Sequence, residues 1–186
     1  MYLRPYKKND AKTILSWCED ETVFRKWTSD RYDSYPITED DMNYKYFDLN
    51  GDCIEKDNFY PLVACDNDNS IFGHFILRYV GGDHTILRIG FVIADDKKRG
   101  MGYGKKMIRL AVDYAFLVAG AQKVTIGVFE NNLPAYNCYK SAGFKELQTD
   151  QDEICELFGE KWKIIELALD INEYISERNK YEGNTD

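Results

Sequence analysis

The stretch Arg99-Gly100-Met101-Gly102-Tyr103-Gly104-Lys105-Lys106 constrains this chain most, because it stands between an apolar strand and an amphipathic helix. Glycines at alternate positions let successive backbone N–H groups converge on one concavity, a nest for an anion. The helix that follows adds the positive end of its dipole, and phosphate is the natural guest. Lys97, Lys98, Arg99, Lys105, Lys106 and Arg109 crowd into the same short stretch of a chain whose net charge is −8. Lys105 and Lys106 fall in the first helical turn, where the dipole disfavours cations and a bound anion offsets that penalty. A tight loop with a solvated basic face accounts for the same residues without a ligand. Two better-known phosphate motifs fail. A dinucleotide fingerprint needs a third glycine where Lys105 or Met107 stands, and a Walker loop needs glycine at Arg99 and Ser or Thr at Lys106. The pattern that fits is R-x-x-G-x-G, at Arg99, Gly102 and Gly104.

The surrounding sequence supplies a sheet for this turn to sit on. Tyr2–Tyr6 is a short strand, and Asp10 is placed to cap a helix carrying Ile14, Leu15 and Trp17. A second helix is expected over Glu21–Trp27, and Thr38-Glu39-Asp40-Asp41 opens a third. Tyr60–Cys65, Ile71–Val80 and Thr85–Ile93 read as a meander broken by the Asp66–Ser70 and Gly81-Gly82-Asp83 turns. After the glycine turn a helix runs over Gly102–Ala119, with Met107, Leu110, Ala111, Tyr114, Ala115 and Val118 as its apolar stripe and Gly120 as its stop. Val124–Phe129 is a strand and Leu133–Ala142 a helix closed by Gly143. Phe144–Gln148 and Trp162–Leu169 are further strands, with Phe158-Gly159-Glu160 as the turn between them, and the last dozen residues are expected to fray. The order gives a mixed sheet with helices on its faces.

Length and composition narrow the classes. A chain of 186 residues, 44% hydrophobic and 15% aromatic, builds one sizeable core, which argues against disorder. One domain is expected over 1–175, with a polar tail over 176–186. The acidic balance repels nucleic-acid phosphates and favours cationic partners such as amines. Five cysteines without a CxxC pair, and only two histidines, predict reduced thiols and no metal site. The N-terminus carries no secretory pattern, and the apolar stretch near Ala111–Ala121 is interrupted by Asp113 and too short to span a bilayer. A cytoplasmic protein with no membrane partner is the expectation.

A second motif, Asn132-Leu133-Pro134-Ala135-Tyr136-Asn137-Cys138-Tyr139 followed by Gly143-Phe144, opens and closes the short helix after the next strand. Asn132 suits an N-cap and Pro134 a first turn. R-x-x-G-x-G after one strand and N-x-x-A-x-x-x-Y-x-x-x-G-F after the next resemble the GNAT superfamily of N-acetyltransferases. The opening L-R-P, Asp10, W-x-x-D-E from Trp17 to Glu21, and Phe158–Trp162 resemble the branch that includes the ribosomal-protein N-terminal acetyltransferases. The resemblance implies an α+β or α/β fold, with a central mixed, mostly antiparallel sheet flanked by helices on both faces. It implies acetyl-CoA as co-substrate and no metal.

The same resemblance implies a site. The amides of Arg99, Gly100, Met101, Gly102, Tyr103, Gly104 and Lys105 would hold the CoA pyrophosphate. Phe91, Val92 and Ile93 would pair with the pantetheine arm and supply an oxyanion donor. Tyr139 would be the general acid, and Asn132 would bind the cofactor or an ordered water. By spacing alone Tyr139 reads as a core aromatic and Asn132 as an N-cap. An attacking amine must lose a proton, so a general base is needed. Glu130 is the first candidate, ahead of His74 and His84, and a water chain is an alternative. Trp27, Asp30, Asp33 and Tyr35, with Tyr32, offer aromatic faces and carboxylates to a cationic acceptor. The function implied is acetyl transfer to a primary amine by direct attack. The acceptor is a small amine or a protein N-terminus, and a homodimer is compatible with the reading. A non-catalytic acyl-CoA sensor of the same fold is the alternative.

Overall fold

The computed structural model describes residues 1–148 and 152–182. Strand β1 (Tyr2–Pro5) is followed by helices α1 (Asp10–Leu15), α2 (Glu21–Thr28) and α3 (Glu39–Phe47). The meander is β2 (Tyr60–Cys65), β3 (Ile71–Val80) and β4 (Asp83–Ala94). Next come α4 (Tyr103–Asp113), β5 (Lys123–Phe129) and α5 (Leu133–Ser141). The chain closes with β6 (Lys145–Glu146), β7 (Glu153–Leu157), β8 (Glu160–Asp170) and α6 (Ile171–Glu182). The strands form one sheet in the order β1-β2-β3-β4-β5-β8-β6, with β7 paired to β8 off that path. Among the described pairs only β4–β5 is parallel.

Local chemistry sets several of these boundaries. Asp20 caps α2 by accepting the Val23 N–H at 2.8 Å. Thr38 and Asp41 form a reciprocal capping box at α3, as the polar run predicts. The Asp66 carboxylate accepts the N–H groups of Asp68 and Ser70 and so closes the β2–β3 turn.

Period-two alternation then divides the side chains between two cores. Phe72, Phe75 and Leu77 of β3, Leu87 and Ile89 of β4, and Val124, Ile126 and Val128 of β5 face α4, α5 and α6. Val63 of β2, Ile76 of β3 and Ile93 of β4 face Ile14, Phe24, Trp27, Met42 and Tyr46 of α1 to α3. Each fully buried side chain such as Phe72 or Phe24 contributes about 1.5–3 kcal/mol of burial. Gly73 sets how closely α4 seats on β3, since a Cβ there would lie 2.2 Å from the Met107 sulfur.

Four expectations need correction. Asp10 is not the cap of α1 but its first residue. Its carboxylate is held by Arg4 at 2.7 and 2.9 Å and by the Lys7 N–H at 2.8 Å, and Asn9 makes no capping bond. The long helix does not keep one register to Ala119. It passes into a π-turn over Tyr114–Val118, which rotates the stripe, so Tyr114 and Val118 are 37% and 69% exposed while Val112 and Phe116 are buried. The strand expected over Phe144–Gln148 is only Lys145–Glu146, and although it pairs with β8, the strand that the Phe158-Gly159 turn joins to β8 is β7. The expected domain end at 175 falls inside α6, which docks through Tyr174 against Phe116 and Asp113. Residues 183–186 of the expected tail lie outside the described residues. No helix among the described residues is long and apolar enough to cross a membrane.

Candidate active site

The site begins where the parallel pair parts. β4 and β5 are in register only from Ile86↔Lys123 to Ile89↔Ile126. Beyond that, β4 runs on to Ala94 and β5 to Phe129 without pairing to each other. A bulge helps to turn β4 away. Between the pairs His74↔Ile93 and Ile76↔Gly90, β4 carries Phe91 and Val92 opposite the single Phe75. Phe91 takes a φ of +48°, in the left-handed region that a non-glycine residue enters only when its surroundings hold it there. Trp27 of α2 is one such hold, since its indole N–H donates to the Phe91 carbonyl at 2.8 Å.

A cleft of about 850 Å³ occupies the parting and reaches both faces of the sheet. On the α2 side it is lined by Trp27, Asp30, Arg31 and the 51–55 loop; on the far side it reaches Tyr139 of α5. Tyr139 is buried among the residues that pack under α4 and α5, yet its side chain borders the cleft. Its hydroxyl has no hydrogen-bond partner among the described residues, and burial pushes its pKa well above the ordinary tyrosine value. It therefore stays protonated at neutral pH.

The floor holds an ion pair. Arg88 of β4 donates both Nη atoms to the Glu166 carboxylate of β8 at 2.6 Å each, reaching across the intervening strand β5. Gly127 of β5 makes this crossing feasible. A Cβ there would lie 2.7 Å from both Arg88 Nη2 and Glu166 Oε1. Burial pulls the Arg88 guanidinium down, and Glu166 more than offsets it, so the net shift is upward.

The glycine turn stands apart from the cleft, beyond the end of β4. Gly100 and Gly102 have φ of +74° and +78°, so left-handed backbone, not crowding, demands glycine there. The N–H groups of Gly100, Gly102, Tyr103, Gly104 and Lys105 find no acceptor among the described residues. They form the donor set an anion would need. Lys98 does not join that set, because it bonds Asp66 at 3.0 Å and lies over the Tyr103 ring. A Cβ on Gly104 would meet Cys138 of α5 at 3.5 Å, so the turn packs beside the helix that carries Tyr139.

Residues 1–145 match the acetyltransferase (GNAT) domain family. The chain belongs to the GNAT acetyltransferases. As a GNAT enzyme it is an acetyl-CoA-dependent N-acetyltransferase. It is 23% identical to the spermidine N(1)-acetyltransferase of Escherichia coli K12, over 98% of this chain and 92% of that one. It is 26% identical to a probable N-acetyltransferase, YjcK, of Bacillus subtilis, over 77% of this chain and 80% of that protein. The crystal structure of the Vibrio cholerae spermidine N-acetyltransferase in complex with CoA and spermine superposes with a TM-score of 0.75 at 19% identity. That superposition covers 93% of this chain and 96% of the other. At such identity the likeness establishes the fold.

The GNAT framework sorts the residues expected from sequence. Phe91, Val92, Asn132, Tyr139, Trp27 and Asp30 come together around the cleft. Asn132 stands at the N-cap of α5, but its side chain makes no capping bond. Ile93 is buried in the core beneath α2 and α3, and the Arg99–Lys105 turn lies outside the lining. Asp33 and Tyr35 also fall outside it, and the Tyr35 ring packs on Phe24 at 5.2 Å. Glu130 is exposed beyond β5 and absent from the lining, with its N–H donated to the Lys163 carbonyl. His74 is enclosed, with ring nitrogens against the Leu62 carbonyl and the Tyr46 hydroxyl, and burial lowers its pKa to about 4. His84 is exposed against the Tyr79 ring, outside the lining. No cluster of three or more metal-ligating side chains occurs among the described residues.

Sequence reasoning missed Arg78, Arg88, Gly127, Glu153 and Glu166. Each lies on a strand, and four of them line the cleft, with Glu166 paired to Arg88. A glycine at mid-strand in β5 was the one signal that pointed there.

Proposed function

We propose that the chain acetylates a small primary amine and that its two substrates meet at the parting of β4 and β5 from opposite faces of the sheet. Acetyl-CoA lies on the α4–α5 side, with its pyrophosphate on the amides from Arg99 to Lys105. Its pantetheine arm runs along Phe91, Val92 and Ile93, and Asn132 faces the cofactor. The amine enters from the α2 side, past Trp27 and Asp30. One observation carries this reading: the cleft is lined from both faces of the sheet and borders the buried residue Tyr139, whose hydroxyl has no hydrogen-bond partner among the described residues.

The chemistry follows from that arrangement. The amine nitrogen attacks the thioester carbonyl carbon, and the oxyanion that forms is held by a backbone N–H of β4. The tetrahedral intermediate collapses, the carbon–sulfur bond breaks, and Tyr139 gives its hydrogen bond and proton to the departing thiolate. The ammonium proton leaves through water to a carboxylate. Glu130 can take part only through such a chain, whereas Glu153 lines the cleft itself. The catalytic unit is the single domain expected over 1–175, extended to include α6.

The relatives named for spermidine acetylation support a small acceptor over a protein N-terminus. The test is acetyl-CoA-dependent release of free CoA across spermidine, diamines, amino acids, aminoglycosides and peptides with varied N-termini. Turnover of one or more small amines is expected. Turnover of peptides alone would overturn the acceptor size. No turnover in a sample shown by calorimetry to bind acetyl-CoA would move the reading to a sensor.

A further inference from the structure

Arg78 lies on the acceptor side of the cleft and is the least explained charge in it. It follows His74 and Ile76 at period two on β3, so it projects from the same face as Ile76, toward α2 and the cleft. Its register partner is Arg88 of β4. Arg88 is neutralised by Glu166, but Arg78 has no hydrogen-bond or salt-bridge partner among the described residues. Its surroundings add to the problem. Arg31 borders the same cleft and reaches only a long contact of 3.9 Å to the exposed Asp30. The nearby Glu55 carboxylate already accepts from the Asn58 amide at 2.6 Å. Burial, followed by the positive charge of Arg88, lowers the Arg78 pKa. A half-buried guanidinium beside a like charge, with all five donors unused among the described residues, is an arrangement that an anion completes.

We propose that the acceptor amine also carries a carboxylate, which Arg78 binds, so that the enzyme acetylates a zwitterionic amine of amino-acid type. This rests on the acetyltransferase reading above. The anion cannot be the phosphate end of CoA, because Arg88, the neighbour of Arg78, lies six residues before the end of β4. That is about 20 Å from the end of β4 at strand spacing, and the glycine turn follows that end. The same neighbour lies three residues before Phe91, or about 10 Å from the bulge. A short spacer between carboxylate and amine spans that distance. The rest of the lining is mixed in charge and fits a dipolar ligand, since Lys26, Arg31, Arg78 and Arg88 share the cleft with Asp30, Asp52, Glu55, Glu153 and Glu156. A polyamine has only positive charge and would meet Arg78 unfavourably.

Matched pairs that differ by one carboxylate test this: L-lysine with 1,5-diaminopentane, L-ornithine with 1,4-diaminobutane, and 4-aminobutyrate with propylamine. Binding is read by calorimetry on the CoA-bound protein, and turnover by CoA release. At least one acid is expected to bind and turn over tenfold or more better than its decarboxylated partner. Arg78→Gln should erase that preference by raising KM for the acid while leaving KM for acetyl-CoA unchanged, and Arg78→Lys should restore part of it. Diamines that match or exceed the acids, acids that fail to bind, or a preference that survives Arg78→Gln would each overturn the proposal. Amine turnover without acid preference sinks this inference alone. Acid binding without any turnover sinks the catalytic reading and, with it, the acid as acceptor, leaving only the carboxylate contact to Arg78.

Discussion

The glycine turn at Arg99–Gly104 and the cleft floor at Arg88, Gly127 and Glu166 are built in opposite ways. The turn is local. Its left-handed glycines, its unpaired N–H groups and the start of α4 all come from one run of sequence. The floor is assembled from three strands, and its ion pair exists because β8 lies next to β5 in the sheet and Gly127 carries no side chain. A glycine is essential in both places for different reasons. In the turn it supplies a backbone conformation, with open space where a Cβ would go. In the floor it supplies room under an ordinary strand backbone. Conformation can be read from a motif, but room depends on who the neighbours are.

Substitutions can break or sharpen that contrast. The largest effect is expected where the two regions meet. Tyr139→Phe should lower kcat about 100-fold, within the usual range for a lost general acid, and leave the acetyl-CoA Kd unchanged. Unaltered turnover would return Tyr139 to the core. Gly127→Val should push Arg88 and Glu166 apart. We expect a loss of about 2 kcal/mol, or a Tm lower by about 4–8 °C in a chain of this size, with acetyl-CoA affinity retained. A Tm within a degree of the parent would mean that the pair relaxes without cost.

Gly102→Val reverses the pattern. It places a β-branched residue at a φ of +78° and should raise the acetyl-CoA Kd about tenfold, or about 1.4 kcal/mol. An unchanged Kd in a folded variant would remove the turn from the cofactor site.

The smallest effect comes from pH. His74 sits opposite Ile93, behind the bulge, and its folded pKa of about 4 is below the ordinary value of 6.5. The unfolded chain therefore binds the extra proton first. Stability is full above pH 6.5 and falls as pH drops from 6.5 toward 4, by less than about 1 kcal/mol at pH 6. Thermal melts of the parent and His74→Gln at pH 7.5 and 6 should differ in slope by that amount. Equal slopes would show that the imidazole is not held neutral.

How much was legible follows the same division. The β2 and β3 boundaries, the capping box at Thr38 and Asp41, and both glycine-bearing motifs were readable, because short-range alternation and hydrogen bonding fix them. The π-turn at Tyr114–Val118 was not. Apolar periodicity assumes a uniform helix, and Tyr114 and Val118 were assigned to a stripe that the turn rotates away from the core. Glu130 was chosen because it follows a strand next to the second motif, but its position past the end of β5 carries it out of the cleft lining. Trp27 was noted as an aromatic face for a cation; it lines the cleft, and its indole N–H also holds the β4 bulge, a role that local sequence did not show. Asn132 read equally well as a cap or as a ligand contact, and the structure shows a side chain that makes no capping bond.

The sequence by itself determined the order of elements through α5, the left-handed glycine turn and the place of the tyrosine at the end of the second motif, since each depends on residues close together in the chain, but it did not show β7 or α6. Only the tertiary structure decided which charges share the cleft. Arg78, Arg88, Glu153 and Glu166 come from β3, β4, β7 and β8, and their proximity depends on strand order, on the parting of one parallel pair and on a glycine that leaves space between them. None of these is a property of a local stretch of chain.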